Sequence, residues 1–134
     1  MKYLIKNNII QRMKKYKIMF WISTGIIFLM EGVLVLLTSQ SEMSIQGITS
    51  LGYPLYFVTL LAVFKVLGSF ALIIPQVPAR IKEWAYAGFG IDFVCAFVSI
   101  VAVFGFGIMV LMPVLFMILL VMSYVSYNKL KASN

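Results

Sequence analysis

Four apolar stretches, at about residues 18–38, 54–75, 85–104 and 107–125, leave this chain few ways to fold. Each approaches or exceeds the roughly 20 residues that a helix rising about 1.5 Å per residue needs to cross about 30 Å of hydrocarbon. No water reaches backbone amides inside a bilayer, and a helix is the one single-segment structure that satisfies them all internally. With 63% hydrophobic and 11% charged residues and a mean hydropathy of +1.03, the chain is too apolar for a soluble domain. The expected architecture is all-α, a single domain over residues 1–134 forming an integral membrane four-helix bundle.

The basic residues set an orientation. Lys2, Lys6, Arg12, Lys14, Lys15 and Lys17 precede the first stretch, Arg80 and Lys82 lie between the second and third, and Lys129 and Lys131 follow the fourth. With four spans all of these fall on one side, so the positive-inside rule places both termini in the cytoplasm. The net charge of +7 is then a topological signal, and a basic segment abutting a span is no sign of a nucleic-acid partner. Glu31 interrupts the first run and no small-residue cleavage site follows, so that run reads as a span and not as a signal peptide.

Residues 1–17 carry Ile5, Ile9, Met13 and Tyr16 at helical spacing with lysines between, which predicts a basic amphipathic arm along the inner surface or, equally, a solvated basic tail that holds the topology. The polar connection SQSEMSIQGITSLGY (39–53) predicts an exposed loop with a short helix before Gly52. Pro75 and Pro78 break the chain between the second and third spans, Gly105 and Gly107 between the third and fourth, and Pro113 predicts a kink in the last helix.

Three ionisable residues interrupt the apolar stretches: Glu31, Lys65 and Asp92. A charge at the centre of a spanning helix costs about 2.5–3.5 kcal/mol on insertion scales, so it persists where it faces protein and meets a partner. Lys65 falls near the middle of its span, and both carboxylates lie within roughly 5 Å of it along the membrane normal at about 1.5 Å per residue. The expectation is one hydrogen-bonded cluster that serves as a ligand or proton site, with one carboxyl protonated or engaged by a cationic or hydrogen-bond-donating ligand; the alternative is a buried charge set that only fixes helix register and partner choice. On the third helix Ala85, Gly88, Asp92, Cys95, Ser99 and Ala102 form a stripe of small and polar residues expected to face the other helices.

Residues 51–99 resemble the DoxX-like family of small four-helix membrane proteins, through LGYP at 51–54, the K-x-x-G of Lys65 and Gly68, the P-x-x-P of Pro75 and Pro78, and KEWAYAGF at 82–89 followed by Asp92. The resemblance implies a multi-pass protein of the bacterial cytoplasmic membrane, with wider relatives that are subunits or assembly factors of membrane complexes, some linked to thiosulfate and quinone oxidation. Many similar sequences carry a histidine shortly after the position of Ser99, and this chain has none.

Without histidine, and with Cys95 the single cysteine, ordinary haem or zinc ligation and intrachain dithiol exchange lack their residues, so no metal site is expected. Phosphate-binding and nucleotide motifs are missing too, so the chain is not expected to be a self-contained enzyme. Two functions remain. One is an accessory or assembly subunit of a membrane complex whose charged cluster binds a quinone or similar amphipath, with Phe57, Phe64, Tyr86 and Phe89 flanking its ring. The alternative is a small proton-coupled transporter of a cationic or amphipathic solute. A chain of this size encloses little volume, so a membrane protein partner or a homo-oligomer is expected alongside the lipid bilayer.

Overall fold

The computed structural model describes residues 1–132, which are helical apart from short turns and contain no strand. Helix α1 (Lys2–Ile27) passes without interruption through a π-helical segment (Phe28–Val33) into α2 (Leu34–Thr38). A short α3 (Glu42–Thr49) follows, and then α4 (Leu55–Ile73), α5 (Ala79–Phe104) and, after a 3₁₀ turn at Ile108–Val110, α6 (Leu111–Ala132). Four helical stretches are long and apolar enough to cross a membrane: Lys2–Thr38, Leu55–Ile73, Ala79–Phe104 and Ile108–Ala132.

Each turn follows from local chemistry. Ser41 caps α3, its hydroxyl accepting from the Ser44 amide at 3.3 Å. Pro54 and Pro78, both extended, stand immediately before α4 and α5, where the missing N–H leaves no helical bond unmade. Gly105 takes φ +77°, a left-handed conformation that a side chain would strain, and so ends α5 sharply.

Three expectations change. The basic arm is helical, but it forms the first turns of the same helix that becomes the first span; nothing between Lys2 and Ile27 breaks it, and it is not a separate surface helix. The turn after α4 is shorter than proposed, because α5 starts at Ala79 and takes Lys82, Glu83 and Trp84 into the helix. Pro113 lies in the first turn of α6, where its absent N–H has no carbonyl to serve, and so requires no kink there.

The helices close into a ring: α1 packs on α6, α6 on α5, α5 on α4, and α4 on the π-helical segment of the first span. The buried core comprises Ile27, Leu72, Tyr86, Phe89, Phe93, Phe116 and Leu120, while leucines, isoleucines and phenylalanines on all four spans remain exposed. In water such a surface would aggregate; on a protein of this hydropathy it is the face presented to lipid. Association inside lipid then depends on packing and hydrogen bonds. Ser123 of α6 meets both Thr24 of α1, at 2.5 Å, and the Tyr86 hydroxyl of α5, at 2.7 Å, joining three helices at one fully buried point.

Lys82 has a task its place in the sequence did not suggest. It is only 4% exposed, and its ammonium donates to the carbonyls of Ala71, Leu72 and Ile74 at 3.0, 3.0 and 2.8 Å. The Ala71 and Leu72 carbonyls at the end of α4 have no helical donors of their own and the Ile74 carbonyl has only the Val77 amide at 3.4 Å, so a lysine on the next helix caps them. The Tyr127 ring lies 5.9 Å away and faces the same charge. Lys82→Met is therefore expected to destabilise the protein by about 2–4 kcal/mol, since charge-assisted hydrogen bonds contribute about 1.5–3 kcal/mol each but are not additive. Unfolding in mixed detergent micelles measures this, with Lys14→Met, on the exposed arm, expected to be neutral.

Candidate functional site

The three intramembrane ionisable residues meet. Lys65 Nζ stands 2.8 Å from Glu31 Oε2 and 3.6 Å from Asp92 Oδ2, so one ammonium on α4 joins the first span to α5. Glu31 is 8% exposed, and Lys65 and Asp92 are partly buried. Two carboxylates against one ammonium leave the cluster one negative charge in excess when all three are ionised.

Local backbone brings Glu31 there. In the π-helical segment the Leu34 amide bonds to the Leu29 carbonyl, five residues back, which widens the turn and shifts the face of the helix at Glu31 and Gly32 toward α4. Gly32 permits the approach. A Cβ at this position would overlap Ser69 of α4, whose side chain occupies that space. Gly68, one residue earlier on α4, leaves room for the Phe89 ring, which a Cβ would meet at 2.9 Å. These glycines bring helix axes close enough for short carboxylate side chains to reach the lysine.

Beside the cluster, residues of α4 and α5 line a cavity of about 690 Å³. Aromatic and aliphatic side chains line it, Tyr53, Phe57, Phe64, Trp84 and Phe89 among them, and its charged lining residues are Lys65 and Asp92. Leu60, Phe64, Leu67, Trp84, Gly88 and Ile91 are exposed along it, so it opens sideways as a groove toward the lipid. Tyr53 closes one end, stacked on Phe57 with centroids 4.7 Å apart and sharing a 2.7 Å hydrogen bond with Ser99.

Of the aromatic residues expected to flank a ligand, Phe57, Phe64 and Phe89 line this groove and Tyr86 does not. Tyr86 points to the opposite side of α5, bonded to Ser123 and edge-on to Tyr124 of α6. The reason is angular: consecutive helical residues are about 100° apart, and Tyr86 and Phe93 turn toward α6, where they meet Tyr124 and Phe116, while Phe89 turns toward Gly68 of α4. The stripe of small residues is corrected in part. Ala85 packs against the core and Asp92 meets Lys65 of α4, as expected, whereas Gly88 and Cys95 are exposed on the border of the open groove. Tyr53, Trp84 and Ile81 also line it; their signal was i, i+4 spacing to Phe57, Gly88 and Ala85, residues already assigned to the same faces.

Two outcomes follow for the cluster. Lys65→Met strands two carboxylates and is expected to cost about 3–5 kcal/mol, whereas the triple variant Glu31→Gln, Lys65→Met, Asp92→Asn recovers most of that loss, because removing a whole buried ion set is far milder than removing one partner. Detergent unfolding of the single and triple variants measures the coupling. Gly32→Ala is expected to cost about 1–3 kcal/mol by overpacking, and Ser69→Gly in the same chain to restore it.

No curated protein and no solved structure matches the chain. Residues 21–123 match the DoxX-like family, a segment that begins near the entry of the first span and includes the whole cluster and the groove. The coverage and the four helices long and apolar enough to cross a membrane agree, and this chain belongs to the DoxX-like family as a multi-pass integral membrane protein.

Proposed function

We propose that this protein is an accessory or assembly subunit of a membrane complex that holds a lipophilic ring compound of the quinone class in the groove between α4 and α5. The observation that carries this reading is the groove's composition: an aromatic, lipid-facing cavity of about 690 Å³ whose charged lining is Lys65 and Asp92. A volume of that order suits a drug-sized headgroup, and an apolar pocket with a few convergent polar atoms is the usual form of a small-molecule site. In this reading the Lys65 ammonium donates to a ring carbonyl while Phe57, Phe64 and Phe89 flank the ring. Glu31 remains behind the lysine, holding its charge and direction; Asp92 accepts from a hydroxyl when the ring is in its reduced form. The isoprenoid tail leaves through the open side of the groove into lipid.

Transport of a cationic solute is less consistent with this geometry. A cation in the groove would meet the Lys65 ammonium, while Glu31, the carboxylate that would attract it, is nearly buried and contributes nothing to the groove wall. The proposed setting is the bacterial cytoplasmic membrane with both termini in the cytoplasm, a topology supported by the basic residues clustered at the end of the bundle that holds Lys2, Arg80 and Lys131. Fluorescent-protein fusions at either terminus are expected to fluoresce, and alkaline phosphatase fusions to be inactive.

The decisive experiment is native mass spectrometry of protein extracted from its own membrane, with identification of co-purifying lipids and quinones. Wild-type protein is expected to retain a ring-bearing lipophile. Lys65→Met in the Glu31→Gln, Asp92→Asn background, chosen so that the fold survives, is expected to lose it by about 10- to 100-fold, the equivalent of one charge-assisted hydrogen bond. Retention of a partner protein alone, equally in both forms, would make the cluster structural and leave the assembly role without a ligand.

A further inference from the structure

Lys65 borders two cavities. The lateral groove is one; the other is a chamber of about 180 Å³ beneath α3, at the end of the bundle opposite the chain termini. Thr38, Ser39, Ser44, Val58, Ala62 and Lys65 are among its walls. Its character differs from that of the groove: three hydroxyl side chains come from the first span and from the first turn of α3, and the lysine forms its inner end. The Gln40 amide donates to Thr59 at 3.1 Å across the top, so the connection after α2 is tied to α4.

Water enters a cavity that is roomy and offers about two to four polar partners, and apolar cavities of similar size stay dry. This chamber meets both conditions. Thr38 Oγ1 already donates to the Leu34 carbonyl at 2.7 Å and keeps lone pairs free to accept; Ser44 Oγ accepts from Ser41 at 3.2 Å. The Lys65 ammonium has three N–H donors for two carboxylate partners, Glu31 and Asp92, and neither carboxylate residue is among the chamber's lining.

We propose that the chamber under α3 is a water-filled entrance that puts Lys65 in aqueous contact with the α3 side of the membrane alone, so that the lysine is solvated from that side while a lipophile reaches it through the lateral groove. The lysine is then the wall between a wet compartment and a lipid-facing one. The inference deepens the ligand reading by giving that site a sidedness, and it rests on that reading for its purpose. The chamber's hydration can nevertheless be tested with no ligand present.

The test uses full-length protein in sealed vesicles, with Cys95→Ser as background because Cys95 lines the groove and is exposed. Single cysteines replace Thr38 and Ala62 in the chamber and Leu60 in the groove wall, and a membrane-impermeant methanethiosulfonate is added from one side at a time. The expected result is reaction of Thr38→Cys and Ala62→Cys from the α3 side at least ten-fold faster than of Leu60→Cys, with little reaction from the opposite side. Adding Ser44→Trp at the mouth should slow Ala62→Cys several-fold while leaving the protein folded. Should Ala62→Cys react no faster than Leu60→Cys, or equally from both sides, the one-sided entrance is overturned. A quinone retained in the mass-spectrometric experiment together with an unreactive Ala62→Cys would reject the entrance and keep the ligand; labelling without a retained quinone would do the reverse.

Discussion

One lysine amine between two carboxylates ties the bundle together. Lys65 on α4 reaches Glu31 on the first span and Asp92 on α5, and each of the three would be costly alone in a membrane. Lipid provides no hydrophobic reason for helices to associate, so a shared charge cluster also specifies which helices become neighbours and at what depth. The close approach at Gly32 and Ser69, and the widened π-helical turn before it, bring the carboxylate within range.

The remaining polar contacts complement this cluster at other levels of the bundle. Thr24, Ser123 and Tyr86 join α1, α6 and α5, a different set of helices, and Lys82 closes the end of α4 from the first turn of α5. Together these contacts bind all four spans beside the groove between α4 and α5. A rigid frame beside an open, aromatic cavity is what a ligand site in a small membrane protein requires: in the proposed function the frame holds Lys65 in place and the groove admits a lipophile without opening the bundle.

Much of this was legible from residues alone, for specific reasons. Glu31, Lys65 and Asp92 could be foreseen as a cluster because helix rise converts sequence position into depth, and all three fall at similar depth. Depth does not fix angle. Tyr86 and Phe89 are three residues apart on the same helix, yet one belongs to α6 and the other reaches the groove, a division set by which neighbour each side of α5 meets. The stripe of small residues on α5 divides on the same account: small side chains permit close packing, but whether a helix comes close depends on the large residues beside them, here Phe93 against Phe116 of α6 and Phe89 against Gly68 of α4, which leave Gly88 and Cys95 open.

By itself, the sequence determined the class of protein, the number of spans and the depth of its charges, because these depend on hydropathy, length and helix rise, all additive along a chain. Only the tertiary structure decided how closely each carboxylate approaches Lys65, that Lys82 caps α4 instead of merely marking a loop, and that the groove and the chamber share Lys65 as a wall. Those facts depend on how helices rotate and approach one another, which follows from packing between residues such as Glu31 and Lys65 that are far apart in sequence.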